Sequence, residues 1–312
     1  HQNPDSGMFT YMMPLMSGSA RSYSDPENSF WCCVLSGIES HSKHGDSIWW
    51  QQGNERLYVN LFIPSKVDWS EQNASFELST KYPYNGLIEL NLSSLDKSKT
   101  FTVALRIPAW ASGHTIVVNG KPETAAIENG YALLNREWSK GDQVSLELPM
   151  ELRLESPSGN NKVVSLLRGP MVLAADLGAA DEEWSGTTPA LVGENLLKSF
   201  EPVSLDDAVY RTSGLGRPAD MTFRPFYSQY HRRTATYFNQ YTNSEWATVE
   251  KDFIAAEALK KETSMLSVDY MHLGEMQAER DHNLVVKGNS NPVVYRGQNG
   301  RDARTGNECS KG

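Results

Sequence analysis

The sequence predicts a mainly β protein assembled from antiparallel β-sandwich or jelly-roll domains. Three observations carry that expectation. Through most of residues 57–148 apolar residues alternate with a period of two, the alternating runs are short, and turn residues separate them.

Residues 1–31 are rich in Gly, Ser, Pro and aromatics (Phe9, Tyr11, Pro14, Tyr23, Pro26, Phe30, Trp31) and show neither period, which predicts a long ordered loop of the kind that lines a site. From Cys33 to about His44 the positions of Val34, Leu35 and Ile38 allow a short helix, and Gly45 is suited to a left-handed stop. After Trp50 the period changes. Leu57, Val59, Leu61 and Ile63 alternate with Tyr58, Asn60 and Phe62 until Pro64, so 57–63 reads as a strand. Further strands are expected at 76–80, 88–92, 101–107, 115–118, 131–134 and 144–148, with Val59, Leu61, Val103, Leu105, Leu146 and Leu148 on the inner face of one antiparallel sandwich. Asn119-Gly120 is the strongest hairpin signal, because a type I′ turn needs positive φ at both positions.

A second mostly β region runs from Val163 to about Tyr241, with an insertion-like loop at 179–193. Its aromatic cluster of Phe223, Phe226, Tyr227, Tyr230, Tyr237 and Phe238 reads as core packing. The stretch from Gly288 is polar and reads as a frayed end or part of a truncated module. The expected division is 1–46, 47–155, 156–260 and 261–312.

A chain of 312 residues can hold more than one domain, and 39% hydrophobic with 21% charged residues is a globular composition. The net charge of −9 argues against a polyanionic partner, so no nucleic acid is expected. No membrane span is expected either, since the apolar stretch 163–175 is broken by Arg168, Gly169 and Pro170. Cys32, Cys33 and the distant Cys309 do not make the even framework of a disulfide-stapled domain, which leaves the redox compartment open. No basic and then apolar leader opens the sequence.

The segment FWCCVLSGIESHSKHGD, residues 30–46, carries the chemistry. Adjacent thiols point in different directions and do not easily bond each other, yet both can reach one soft metal ion such as zinc if the chain turns there. A zinc-bound thiol is deprotonated, so one ion could hold the loop and prepare a nucleophile. From chemistry alone Cys32 and Cys33 read rather as ordinary buried thiols at a helix start, since two ligands do not make a zinc site. His41 and His44 fit solvated histidines, and Glu39 fits either a binding carboxylate or a surface charge.

The succession GMFTYMMPL, a Ser/Pro-rich loop, SFWCCVLSGIESHSKHGDSIW and LYVNLFIPS resembles glycoside hydrolase family 127, the β-L-arabinofuranosidase-like proteins. The resemblance continues to LRGPMVLAADLG near Arg168, and VDYMHLGEMQAERDHN at 268–283 looks like a further module of the same large proteins. It implies that residues 1–46 are the last loop and helix of an (α/α)6 catalytic barrel, followed by β-sandwich domains. It further implies that Cys32 is the nucleophile of a retaining enzyme and that Cys32 and Cys33 are two of four zinc ligands. The remaining ligands and the acid/base glutamate belong to missing upstream barrel segments, so zinc binding by this chain is expected to be weak or absent and the chain inactive. Tyr11 resembles a sugar-contacting tyrosine or is a packed aromatic; Glu39 and His41 are the other candidate substrate contacts. Cys309, in the polar tail, is not expected in the site. The implied ligands are L-arabinofuranosides of plant cell-wall glycans, and a periplasmic or secreted bacterial setting is implied for the full-length protein. A non-catalytic β-sandwich module, supporting the barrel or binding carbohydrate, is the alternative.

Overall fold

The computed structural model describes residues 1–265 apart from Phe30, Glu183 and Ser185, together with Val268–Asp269 and Val285–Val286. Expectations for Cys309, for most of 268–283 and for the polar stretch from Gly288 lie outside the described residues. The fold is mainly β. It falls into two compact units, one of His1–Glu182 with Thr188–Asn243, the other of Glu183–Thr187 with the chain from Ser244 onward.

The first unit opens with the irregular segment 1–31, whose bridges Gln2↔Phe9 and Ser19↔Thr234 fix it locally. Helix α1 (Cys32–Lys43) follows. The expected stop at Gly45 is not used: His44 keeps right-handed angles (φ −59°, ψ −32°), and the chain leaves through a turn closed by Asp46 N–H donating to the Lys43 carbonyl.

Two sheets then share one core. The first joins β1 (Trp49–Gln52), β2 (Arg56–Val59), β6 (Lys99–Arg106), β9 (Ala126–Glu128) and β10 (Tyr131–Trp138) in the order β1-β2-β6-β10-β9. The second joins β3 (Ser65–Trp69), β4 (Ala74–Thr80), β5 (Leu87–Leu95), β7 (Thr115–Val118), β8 (Lys121–Glu123) and β11 (Gln143–Glu147) in the order β3-β4-β5-β11-β7-β8. The inward set predicted from alternation is buried at Val59, Val103, Leu105, Leu146 and Leu148, whereas Leu61 only packs partly against the core. Its strand ends early because the N–H groups of Asn60 and Leu61 both turn to the Ile48 carbonyl, so Phe62 goes inward instead and Ile63 is exposed. The pairing is not wholly antiparallel. β2 runs parallel to β6, with Leu57 opposite Val103 and Val59 opposite Leu105. Asn119 and Gly120 take φ of 51° and 75° in the β7–β8 hairpin, as that turn requires.

The centre of this core is aromatic. Trp138, fully buried, stacks on Phe101 at 5.8 Å, and its indole N–H donates to the Phe101 carbonyl at 3.0 Å. A buried indole needs such a partner.

A third sheet joins β12 (Leu152–Glu155), β13 (Val163–Arg168), β14 (Met171–Ala179), β15 (Ala190–Val192), β16 (Phe200–Ser204), β17 (Val209–Thr212), β18 (Gly216–Arg217), β19 (Thr222–Pro225), β20 (Arg232–Ala235) and β21 (Phe238–Tyr241). Its long strands change partners along their length: β13 pairs β21 at Val163 and Val164, then β12 and β14 nearer Arg168. The aromatic cluster divides here. Phe223 and Phe238 are fully buried, whereas Tyr227 and Tyr237 are exposed.

The second unit contains α2 (Asn243–Met265), to which the sequence reading assigned no element. Trp246, Val249, Phe253 and Glu257 recur at helical spacing and are buried or half-buried. The Trp246 and Phe253 rings meet at 5.1 Å, and the Glu257 carboxylate accepts from the backbone and hydroxyl of Thr187. Strands β22 (Val268–Asp269) and β23 (Val285–Val286) pair antiparallel. Among the described residues no helix is long and apolar enough to cross a membrane.

Candidate active site

The loop before the cysteine pair is shaped by one carboxylate. Asp25 accepts the backbone N–H groups of Glu27 (2.9 Å) and Asn28 (2.6 Å) and the Ser29 hydroxyl (2.8 Å). These bonds, the Asn28 amide foremost, hold the Asp25 carboxyl below the usual carboxylate range. Trp31, extended at φ −87° and ψ 148°, is the N-cap of α1 and gives it no side-chain cap, so the positive end of the helix dipole lies at the two cysteines.

Helical geometry then separates the two thiols. Cys33, Gly37 and His41 are four residues apart and form one stripe, while Cys32 lies about 100° round the axis. Gly37 is buried, and a Cβ on it would lie 2.4 Å from the Phe9 ring, so α1 rests on Phe9 by way of this glycine. The same stripe brings the His41 ring to 6.2 Å from Phe9 and 5.2 Å from His44. Cys33 is consequently half-buried, and Cys32 is exposed.

The other predicted contacts divide by position. Tyr11 stands beside the cysteine end, its exposed ring edge-on to Trp31 at 6.3 Å. Glu39 shares the face of Cys32 but starts two turns further on, about 10 Å along the axis. Of the three, Tyr11 lies at the Cys32 end of α1, and His41 lies at the other end and on the opposite face. As for metal, no three His, Cys, Asp or Glu side chains are gathered to hold an ion among the described residues. Two diverging thiols are half of the donors a structural zinc site needs, so the residues present do not by themselves fit zinc.

Sequence reasoning missed the anchor of the whole segment. Buried Arg21 donates to the carbonyls of Phe226 and Tyr227, and its guanidinium lies 4.6 Å from the centre of the Phe226 ring and 5.8 Å from that of Tyr230. Gly18 and Ser19 exchange backbone bonds with Thr234 of β20, and the Asn3 amide meets the His231 ring at 2.8 Å. The cysteine-bearing segment is thus stapled to the third sheet, more than 200 residues away in sequence. Only the unusual company of a lone arginine among Gly, Ser and Tyr hinted at this.

Comparison with known proteins gives these features a family context. Residues 1–46 match the model of the β-L-arabinofuranosidase GH127 catalytic domain, and residues 56–150 that of the GH127 middle domain. A non-reducing end β-L-arabinofuranosidase of Bifidobacterium longum subsp. longum is 28% identical across 40% of this chain and 20% of its own length. The crystal structure of a GH127 β-L-arabinofuranosidase from Geobacillus stearothermophilus shares the fold at a TM-score of 0.57 and 23% identity, over 71% of this chain and 39% of its own. A second GH127 β-arabinofuranosidase structure gives 0.60 at 21% identity, over 81% of this chain and 43% of its own. The chain spans a fifth of that curated relative and about two-fifths of those structures. The chain is therefore GH127-like, resembling the catalytic domain of the family's β-L-arabinofuranosidases in its first 46 residues and their middle domain from 56 to 150.

Proposed function

We propose that residues 1–46 are the last loop and helix of an (α/α)6 barrel, and that Cys32 is the nucleophile of a retaining β-L-arabinofuranosidase acting on plant arabinose-containing glycans. The observation that carries this reading is the exposed Cys32 thiol at the positive end of α1, inside the segment that matches a catalytic domain. Cys33, half-buried on the stripe of Gly37, is less accessible to a sugar.

In the first step the Cys32 thiolate attacks the anomeric carbon. The S–C1 bond forms as the C1–O bond to the leaving group breaks, and the leaving oxygen takes a proton from a carboxylic acid outside residues 1–46. In the second step a water, deprotonated by the same carboxylate, attacks C1, the C1–S bond breaks, and two inversions give net retention. Tyr11 lines the sugar beside Trp31. A zinc ion at the pair would need further donors from the complete protein, and the chain by itself turns over no glycoside.

The test is covalent trapping in the complete protein with an activated L-arabinofuranosyl inhibitor. Mass spectrometry should place the adduct on Cys32; Cys32→Ala should abolish hydrolysis of an aryl L-arabinofuranoside, Cys33→Ser should reduce it, and Cys309→Ala should leave it nearly unchanged. Wild-type turnover by Cys32→Ala, or an adduct elsewhere, would sink the assignment.

A further inference from the structure

A cleft of about 740 Å³ opens at one end of the first sheet, away from the cysteine segment in sequence and built entirely from residues 60–131. That is the volume range of small-ligand sites, roughly 300–1,000 Å³. Its walls are fixed before any ligand arrives. On one side, Asn129 and Gly130 form the β9–β10 turn with φ of 51° and 81°, and the Ile107 N–H donates to the Gly130 carbonyl at 2.7 Å. On the other, the loop 108–114 is closed by the Ala111 N–H on the Pro108 carbonyl at 2.9 Å and pinned by the buried Ala111 methyl. On the floor, the Tyr131 hydroxyl donates to the Asn60 side chain at 2.7 Å, and the Tyr58 ring, edge-on at 5.1 Å, fixes the plane of Tyr131.

The chemistry of the lining is mixed in a particular way. Half-buried Tyr131 contributes aromatic surface, Asn129 and His114 offer hydrogen bonds, and exposed Ile127 gives an apolar lip. Among the described residues Arg106 is the one formally charged group lining the cleft, and no Asp or Glu lines it. Glu128, between two lining residues, turns instead to Arg56 at 4.0 Å. In a chain of net charge −9 an arginine without a carboxylate among the described residues of its cleft is a local exception; one Nη of Arg106 donates to the Asn60 carbonyl at 3.4 Å, and a planar guanidinium matches a carboxylate well.

We propose that this cleft is a carbohydrate-binding site for an acidic oligosaccharide, with a uronate carboxylate on Arg106 and a sugar face on Tyr131. The site is independent of the cysteine chemistry. Binding should weaken as salt rises, because the guanidinium is exposed.

Calorimetry with the 312-residue chain tests this, using an oligogalacturonide and its carboxyl-reduced, neutral counterpart. The acidic sugar should bind and the neutral one should bind more weakly. Loss of the charge-assisted pair in Arg106→Gln should weaken binding about tenfold or more, Tyr131→Ala should weaken it similarly, and Lys198→Gln and Cys32→Ala should leave it unchanged. Because Arg106 is a surface residue, its variant keeps the fold, which circular dichroism verifies. No binding of the oligogalacturonide, equal binding of both sugars, or an unchanged Arg106→Gln would overturn the proposal, while leaving the assignment of Cys32 untouched.

Discussion

Gly37 shows how one residue seats a helix. Alanine would gain about 1 kcal/mol of helix propensity at this position, but its methyl would fall 2.4 Å from the buried Phe9 ring, and overpacking of that kind costs about 1–3 kcal/mol. The clash should win. Gly37→Ala is therefore expected to lower the thermal midpoint, and adding Phe9→Leu should restore part of it; additive effects in a double-mutant cycle would show that α1 does not rest on Phe9. Asp220 illustrates a different single-residue device. Burial by itself would raise its carboxyl, yet the Thr212 hydroxyl (2.8 Å) and the backbone N–H groups of Gly214 (2.8 Å), Leu215 (3.1 Å) and Gly216 (3.1 Å) outweigh it and hold the group below the usual range. A depressed carboxyl adds stability above its unfolded pKa and loses it as pH falls through its folded one. Asp220→Asn should thus narrow the gap between neutral and acid stability, read as denaturation midpoints at the two pH values. An unchanged gap would contradict the assignment.

At the scale of elements, the first two sheets were largely legible because their cores sit between faces that alternate. Strands at 76–80, 88–92, 115–118 and 144–148 fall within, or one residue beyond, β4, β5, β7 and β11. What alternation could not show was where it stops: Asn60 turns to Ile48, a partner chosen by tertiary contact. β3 escaped notice because only Trp69 is fully buried there, and β8 and β9 because they are exposed throughout. The packing of the shared core makes a firm prediction. Trp138→Ala removes a fully buried indole and its bond to Phe101, so it should cost about 3–5 kcal/mol in denaturant unfolding, whereas alanine at exposed Glu137 should cost under about 0.5 kcal/mol. Comparable losses for the two variants would mean that Trp138 is not a core residue.

On the scale of the whole molecule, the cysteine segment is defined by its distant partners. Arg21, Gly18, Ser19 and Asn3 attach it to 226–234, so the segment's seat is the third sheet as well as α1. The same scale governs metal binding. With no third donor gathered beside Cys32 and Cys33 among the described residues, the isolated chain should retain well under one zinc per chain after dialysis, since a structural site takes about four donors. Metal analysis checks this, and near-stoichiometric zinc that is lost in Cys33→Ser would reveal donors from elsewhere in the chain.

The sequence alone determined the β character, the Asn119-Gly120 turn, the start of a helix at the cysteine pair and the family resemblance, because each rests on residues close together in the chain. Tertiary structure decided which thiol faces outward, which tyrosine stands beside it, that Arg21 holds the segment, and that Arg106, Asn129 and Tyr131 enclose one cleft. Those outcomes depend on contacts between residues tens to hundreds of positions apart, and periodicity carries no information about which distant surface will cover a given face.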